Sequence, residues 1–558
     1  MQLLASSRVW NGTLVSFNMR ALRAKLTLAV IPAALFGLSV ILTHARGPYY
    51  LRNNFDPEYN YLLNSLSLLT FHSPTHTDHP GTTLQIIGAA VILFQWLGGI
   101  RVVHGQSLSE SVLSHPEEYL RGMNFVLNAL NSGALYWSAR SVYRLSNSLA
   151  AAMLLQGTVL IYHQTLMALM HVSPEPLLLA VGLALMVPTA TMVLRREGAD
   201  ANENQLATAA GAIFGFGLIT KVNFAPWAAV ILLFPQKSHK RRFVVAALAA
   251  VLVLLLPVAS RISPMVSWFT SLLTHTERYG RGRVGIPGAD VLVANVLSLW
   301  REEFPLFCLF GLYGAVLLLL PLFQRQGMPV TDRTRPLLLA ACIAIVAETV
   351  MVAKHPATHY LVPVLVLTAF VNSALYAILP RSELGMPGVR RLCLAVLVAF
   401  IGIGLYRNWS YFRWWENTAR TDRQNIIDVR ALEDRLTGCQ IIGSFRSSLE
   451  VYALSFGSDY SGAVHQKTLE KLYPGAIHYN PFSGRFLSFA YEDKKKDVKR
   501  LISSEQCVLM EGTALDASVL KDSLLKDGIH FATLMTSANP ISPSEPTALY
   551  RLQPAGVP

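Results

Sequence analysis

The chain has 558 residues, of which 52% are hydrophobic and only 15% are charged, and its formal net charge is +13. This composition excludes an ordinary soluble globular protein. The positive charge does not indicate nucleic-acid binding, because the basic residues cluster in short connections beside apolar segments and no basic tract alternates with aromatic residues.

The first 406 residues contain repeated apolar segments of the length that crosses a bilayer, about 18–20 residues. The basic connections after residues 194, 236, 323 and 380 are predicted to be cytoplasmic. The segments between 101 and 195 break the resulting alternation, so one of them is re-entrant, interfacial or wrongly divided. We therefore predict a polytopic α-helical membrane protein with about 11 spans. The candidate segments are 26–43, 82–100, 123–139, 149–170, 174–194, 205–219, 223–236, 243–260, 304–323, 337–353, 359–379 and 388–406.

The predicted organisation has three parts. Residues 1–25 form a cytoplasmic segment, and the first apolar run is a retained signal anchor because no clear cleavage site follows it. Residues 26–406 form the multi-span domain, with outer loops at 44–81, 261–303 and 354–360. Residues 407–558 contain the strand-like runs "CQIIGSF", "CVLMEG", "HFATLMTS" and "ALYRLQ" and the helical piece "YEDKKKDVKRLISS".

These runs predict a small C-terminal extracytoplasmic α/β domain. Its two cysteines, Cys439 and Cys507, can form a disulfide if the domain lies outside the membrane, and the sequence leaves this open. The other cysteines lie in apolar runs and are interpreted as packing residues.

The first outer loop carries "NFDPEYNYLLNSLSLLTFHSPTHTDHPGTT". Asp56, Pro57 and Glu58 form a strong helix start, and capping alone can explain Asp56. The apolar positions 59, 62, 63, 66 and 69 then define one apolar helix face, suited to the membrane surface or to neighbouring spans. A carboxylate held rigidly beside the membrane and partly desolvated is also a candidate general base.

Further ionisable residues lie at the predicted outer ends of spans, and each has a plain structural interpretation beside the functional one. An acid that follows proline can simply stabilise the first turn of its helix. A lysine can extend its ammonium to the lipid headgroups, and an Arg/Gly run can be a solvated loop. His163 and His171 are interpreted as satisfied core residues. The stretches are "DHPGTT" with Asp78 and His79, "HVSPEPLLLAVGLAL" with Glu175, "GLITKVNFAP" with Lys221, "ERYGRGRVGIPG" with Arg278, Arg281 and Arg283, and "KHPATHYLVPV" with Lys354, His355, His359 and Tyr360.

The order of these stretches along 26–406 resembles the GT-C superfamily of membrane glycosyltransferases, which use polyprenyl-phosphate-linked sugars. That superfamily includes protein O-mannosyltransferases, aminoarabinose transferases and oligosaccharyltransferases. The shared features are an acid in the first outer loop, an amphipathic helix, "HPG" opening the second span, a second outer acid, a Thr-Lys segment and a late outer loop before Tyr-x-x-Pro. Some members carry adjacent Asp-Glu in the first loop, whereas this chain has Asp56-Pro57-Glu58.

The resemblance implies roles for these residues. Asp56 or Glu58 would be the catalytic base, and the departure from adjacent Asp-Glu leaves open which. Asp78, His79 and Glu175 would form the acceptor side or a second acidic site. Cofactors are not expected. A divalent metal between Asp56 and Glu175 is possible but not favoured, because too few carboxylates are available as ligands. The implied donor-phosphate group is Lys221, Arg278, Arg281, Arg283, Lys354, His355, His359 and Tyr360.

The function that follows is sugar transfer from a polyprenyl phosphate to an acceptor of unknown kind, a lipid, glycan or protein of the cell envelope. Its partners would be that donor and membrane lipid, without nucleic acid. The expected location is a bacterial inner membrane, with the active site and the C-terminal domain outside. Two alternatives remain: a transporter or flippase of a lipid-linked glycan, which would normally hold its ionisable residues within spans, and a non-catalytic membrane scaffold.

Overall fold

The computed structural model describes residues 12–51, 58–78, 81–99, 106–195, 202–277, 280, 282–325, 332–378, 387–436, 438–444, 449–480, 483–504, 506–513, 529–536 and 547–554. Most of these residues are helical, and one sheet lies near the C-terminus. The α-helices are α1 Gly12–Arg46, α2 Glu58–Leu69, α3 Thr82–Leu97, α4 Leu108–Ser114, α5 Pro116–Ser146, α6 Leu149–Val159, α7 His163–Ala168, α8 Pro174–Leu194, α9 Glu203–Thr220, α10 Lys237–Leu255, α11 Ile262–Thr274, α12 Ala289–Glu302, α13 Phe304–Arg325, α14 Thr334–Ala353, α15 Val362–Ile378, α16 Pro387–Arg435, α17 Glu450–Tyr460, α18 Gln466–Leu472 and α19 Lys495–Ser503. Three 3-10 helices cover Val222–Leu233, Leu256–Arg261 and Thr358–Leu361.

Within the described residues, seven helical stretches are long and apolar enough to cross a membrane. Three shorter apolar helices, of 10–17 residues, accompany them: α3, α6 and the 3-10 helix Val222–Leu233. The chain is therefore an α-helical membrane protein, and the count of about 11 spans remains a prediction. The seven are Leu22–Arg46, Pro174–Leu194, Lys237–Thr274, Phe304–Leu322, Thr334–Ala353, Thr358–Ile378 and Leu394–Arg435.

One of the predicted spans between residues 101 and 195 is interrupted in the structure. The apolar segment 149–170 is divided into α6, a break at 160–162 and the short helix α7, so it is not one continuous helix. At this break, the side-chain hydroxyl of Thr165 donates to the carbonyls of Val159 and Tyr162 at 2.7 Å each. These bonds satisfy backbone oxygens that the break would otherwise leave without a partner.

Helix α2 is buried on both of its faces. Its apolar face packs against α3, where a methyl group added at Gly88 would lie only 2.3 Å from the Ser65 hydroxyl. Its polar face packs against the C-terminal domain instead of water: the Asn64 amide donates to the Tyr460 carbonyl at 3.1 Å. The amphipathic pattern thus predicted the helix correctly, but the polar side contacts protein. The capping residues Asp56 and Pro57 lie outside the described residues.

The C-terminal part contains a six-stranded sheet, which confirms the small sheet expected from the sequence. Its strand order is β3-β2-β1-β4-β6-β5, with β1 parallel to both β2 and β4 and the other pairs antiparallel. Cys439 and Cys507 form a disulfide beside the paired strands β1 and β4. The strands are β1 Gln440–Ser444, β2 Ile477–Asn480, β3 Arg485–Leu487, β4 Val508–Thr513, β5 Ile529–Thr536 and β6 Thr547–Pro554.

Helix α17 joins this C-terminal part to the first outer loop. Gly457 allows the close approach, because a methyl group there would lie 2.8 Å from the Tyr59 carbonyl oxygen. The Thr75 hydroxyl donates to the Tyr460 carbonyl at 2.6 Å, and His465 lies 3.1 Å from the Ser67 hydroxyl. The described part of residues 44–81 is therefore held between the membrane-span helices and the C-terminal part.

Candidate functional site

A buried carboxylate lies where the first span meets the first outer loop. Arg46 ends α1 and Glu58 begins α2, and their Nη1 and Oε1 atoms lie 2.7 Å apart. The same Glu58 oxygen lies 2.9 Å from His171 Nδ1. Arg46 also donates to the Met170 carbonyl at 3.2 Å and stacks on the Tyr49 ring at 4.6 Å. The fold thus brings residues 46 and 58 together with residue 171, which is 113 positions beyond Glu58.

The electrostatics of Glu58 favour its ionised form. Burial opposes ionisation, but Arg46 and His171 together hold the pKa of Glu58 below its usual range. Glu58 Oε2 and Arg46 Nη2 are buried without a hydrogen-bond partner in the described part of the chain. A buried carboxylate with one oxygen paired and one open can accept a proton or a hydrogen bond from a bound hydroxyl.

Two further side chains fix this carboxylate in place. The Asn124 amide donates to the carbonyls of Leu169 and His171, at 2.9 and 3.2 Å, and so positions the chain segment that carries the imidazole. Glu117 accepts from the Tyr49 backbone N–H at 2.8 Å and from the Tyr59 hydroxyl at 2.8 Å, which ties α1 and α2 to α5. Burial raises the pKa of Glu117, and the Tyr49 and Tyr59 donors oppose that shift.

A second acid is paired with a lysine. Pro174 occupies the first turn of α8, and Glu175 follows it at the helix N-terminus. Lys221 is the C-cap of α9, and its Nζ atom lies 2.5 Å from Glu175 Oε1. The ammonium also lies 4.4 Å from the centre of the Tyr360 ring, which a cation–π contact favours. The Asn223 amide donates to the Tyr360 carbonyl at 2.7 Å and holds this ring segment against Lys221.

His359 lies within electrostatic range of both the Glu175–Lys221 pair and His171, the partner of Glu58. It lies next to Tyr360, with ring centroids 4.2 Å apart, and it interacts electrostatically with Glu175, Lys221 and His171. Since His171 is the partner of Glu58, the pairs that contain Glu58 and Glu175 lie within electrostatic range of the same imidazole. We call these residues, Glu58, His171, His359, Glu175 and Lys221, the outer cluster.

The end of the first loop reaches the same cluster through His76. Its ring stacks on Tyr61 at 5.2 Å, and its carbonyl accepts from the Gln85 amide at 3.0 Å. Burial lowers the pKa of His76, Asp78 opposes the shift, and Lys221 adds to it. Asp78 is thus within electrostatic range of the imidazole that faces Lys221.

The predicted site residues divide into three sets. Glu175, Lys221, His359 and Tyr360 are brought together. Glu58 contacts His171, whose charge reaches His359, and Asp78 is within electrostatic range of His76. Asp56, His79, Arg278 and Arg281 lie outside the described residues, so their roles stay predictions.

The remaining predicted residues have other contacts. Lys354 donates to the carbonyls of Leu272 and Leu273, at 2.5 and 2.8 Å, near the C-terminus of α11, and burial lowers its pKa. His355 follows it, half-buried, directly after α14. The side chain of Arg283 is exposed, and its carbonyl accepts from the Thr276 backbone N–H at 2.9 Å.

Sequence reasoning missed several members of this site. Arg46 was not identified as a candidate, and His171 was interpreted as a satisfied core residue. Glu348 lies inside the apolar run "AIVAETVMVA" and was not considered at all. The available signal was the carboxyl group itself, because an ionisable residue within a span is expensive and usually functional.

The described residues contain no group of three or more His, Cys, Asp or Glu side chains that could hold a metal ion. Asp56, which the sequence placed opposite Glu175 in a metal-bound alternative, is not among them. The charges of Arg46 and Lys221 instead supply the positive field around the described carboxylates.

A further buried acid, Glu303, lies at the C-terminal end of α12. Glu303 Oε1 lies 3.3 Å from His163 Nδ1, and the His163 ring packs against Tyr411 of α16 at 4.7 Å. Burial raises the pKa of Glu303 to about 8, with Arg407 opposing the shift, and burial lowers the pKa of His163 to about 4. Both groups are therefore neutral at pH 7, and they contact each other without forming an ion pair.

Glu303 is expected to make the folded protein less stable as the pH rises from 6.5 to 8. Between 4.5 and about 8, the native state retains a proton on Glu303 that the unfolded state has lost. His163 has the opposite effect, but only below its ordinary value of 6.5. The loss of unfolding free energy should be about 2 kcal/mol. Melting curves in detergent at both pH values measure it; Glu303→Gln should remove the loss, and an unchanged loss in that variant would refute it.

Comparison with known proteins gives one structural likeness. No family model matches the chain, and no curated protein matches it. The chain is similar to a solved structure described as the crystal structure of ArnT from Cupriavidus metallidurans bound to undecaprenyl phosphate. The two share 14% sequence identity over 94% of this chain and 97% of that chain, with a TM-score of 0.47.

Proposed function

We propose that the protein is a glycosyltransferase that moves a sugar from a polyprenyl-phosphate donor to an envelope acceptor at the outer face of the membrane. The observation that supports this most directly is the outer cluster, which places two buried carboxylates and a lysine ammonium near one imidazole beside membrane spans. The aliphatic chain of a polyprenyl donor can lie against the apolar spans, while its phosphate reaches the charged residues.

The reaction requires a base and a stabilised leaving group. A carboxylate takes the proton of the acceptor hydroxyl as its oxygen attacks the anomeric carbon; the bond from that carbon to the phosphate oxygen breaks, and polyprenyl phosphate leaves as an anion. Lys221 is suited to stabilise that anion because its ammonium is already held at the site. The leaving phosphate would then compete with Glu175 for the ammonium.

The base is assigned within the first loop. Glu58 is paired with Arg46 and His171, so its lowered pKa makes it a weak proton acceptor. We therefore assign the base to Asp56, two residues earlier, and a positioning role to Glu58. Asp78 and His79 would line the acceptor side.

The outer location is supported by two features of the chain. Basic residues concentrate in the connections predicted to be cytoplasmic. The Cys439–Cys507 disulfide is of the kind that persists in oxidising compartments. We place the outer cluster and the C-terminal domain on the extracytoplasmic side of a bacterial inner membrane.

The proposal is tested in a strain of the source organism that lacks the protein. Mass spectrometry should find that one envelope glycan or lipid has lost a sugar and that a polyprenyl-phosphate sugar accumulates; unchanged pools would contradict the function. Asp56→Asn should fold but transfer about 10²–10⁴-fold more slowly, because it lacks the base. Asn54→Ala in the same loop is the matched control and should restore the sugar fully. Full restoration by Asp56→Asn would remove the assignment of the base.

A flippase for a lipid-linked glycan remains the alternative, and Glu348 is the observation that favours it. Glu348 is a buried acid within the span α14, as in many transporters. Vesicles containing the purified protein and a fluorescent polyprenyl-linked glycan separate the two functions. A flippase moves unmodified lipid between leaflets, whereas the proposed enzyme leaves its distribution unchanged.

A further inference from the structure

The carboxyl group of Glu348 has no hydrogen-bond partner among the described residues. Its side chain is fully buried in α14, and neither carboxyl oxygen has a hydrogen-bond partner in the described part of the chain. It lies five residues before the end of α14 at Ala353, or roughly 8 Å along the helix axis. A group this costly to bury is rarely retained for stability alone.

Lys221 is the cation whose charge reaches Glu348. Helix α14 packs against the 3-10 helix Val222–Leu233, and Lys221 is the residue directly before that helix. The ammonium has three protons to donate, and the described contacts use Glu175 as its hydrogen-bond acceptor. Glu348 is therefore a second carboxyl within the electrostatic range of one lysine.

We propose that Glu348 is a positioning residue that gives the Lys221 ammonium a second partner when the donor binds. This inference rests on the proposed function. Without donor, Lys221 pairs with Glu175. When the donor phosphate enters, the ammonium turns from Glu175 to the phosphate and to Glu348. Glu175 is thereby released to accept hydrogen bonds from the acceptor.

This arrangement explains why a carboxyl is kept at a position that an apolar residue would fill at lower cost. An alternation of one lysine between two acids requires a second acid near the lysine with a free oxygen. Glu348 lies on the helix that packs beside the Lys221 segment, within electrostatic range of the ammonium, and its oxygens have no hydrogen-bond partner among the described residues. A carboxyl group offers an acceptor oxygen whether or not it is protonated, so the second position does not depend on its charge.

The experiment compares Glu348→Leu with the matched control Thr349→Val in the full-length protein. Thr349 is the next residue, and its hydroxyl donates to the Ile345 carbonyl of its own helix. Glu348→Leu should raise the melting temperature or leave it unchanged, yet lower kcat at least tenfold. Thr349→Val should transfer like the wild type. In a Lys221→Met background, Glu348→Leu should have no further effect on the affinity for polyprenyl phosphate.

Infrared difference spectra provide a readout that a structural role would not change. Addition of polyprenyl phosphate alone should shift a carboxyl band that is absent in Glu348→Gln. Wild-type kcat in Glu348→Leu together with an unshifted band would overturn the inference, and a large drop in melting temperature would assign Glu348 to folding. If the wild type transfers no sugar but polyprenyl phosphate still shifts the band, the proposed function fails while the contact between Glu348 and the lipid-binding lysine stands.

Discussion

Replacing Lys221 with methionine is expected to abolish transfer and to lower the free energy of unfolding by about 3–5 kcal/mol, because the variant leaves Glu175 buried without its counter-ion. Both side chains are nearly inaccessible to solvent, at 7% and 5% exposure, so water cannot replace the lost partner. Chemical denaturation in detergent measures the stability, and release of polyprenyl phosphate from the donor measures the transfer.

Two controls separate folding from chemistry in this prediction. Lys471 pairs with Glu110 at the same 2.5 Å separation but is 72% exposed, so Lys471→Met should change stability little. The double variant Lys221→Met with Glu175→Leu removes both charges and should recover most of the stability without recovering transfer. Recovery of transfer in the double variant would show that the pair has only a structural role.

Replacing Glu58 with leucine is the second substitution with a large expected effect. It leaves Arg46 buried without its carboxylate partner and frees His171, so the free energy of unfolding should fall by about 3–5 kcal/mol. Equilibrium unfolding measures the loss. The double variant Arg46→Met with Glu58→Leu should fold again, because an apolar pair replaces the buried ion pair.

The refolded double variant then reports on catalysis. We expect its transfer rate to be about 10²-fold lower than that of the wild type, since the carboxylate that positions the first loop is gone. A double variant with the wild-type rate would show that Glu58 only joins α1 to α2. A double variant that stays unfolded would show that Arg46 and Glu58 contribute more than their mutual pairing.

Local sequence patterns predicted the helices and strands better than they predicted which elements pack against each other. The amphipathic spacing after Tyr59 gave α2, and the runs "CQIIGSF", "CVLMEG", "HFATLMTS" and "ALYRLQ" correspond to β1, β4, β5 and β6. The strands β2 and β3 were missed because they are only four and three residues long. The burial of α2's polar face depends on α17, which lies hundreds of residues later, so no local pattern could predict it.

The same limit applies to the site. Glu175 and Lys221 were each singled out, but their pairing depends on the packing of α8 and α9, which spacing does not encode. Arg46 and His171 carried no distinctive pattern of their own. Lys354 shows the converse: a lysine at the head of a span suggested a phosphate contact, whereas the structure gives it the backbone carbonyls of α11 as partners.

The central claim is that one outer site holds the donor phosphate beside Lys221 and the acids of the first loop. Cryo-electron microscopy of the protein in nanodiscs containing polyprenyl phosphate tests it most directly. The account predicts phosphate density within hydrogen-bond distance of the Lys221 ammonium, on the side that faces Glu58 and His171. Density bound elsewhere on the protein, with the Lys221–Glu175 pair intact and no lipid near it, would contradict the account.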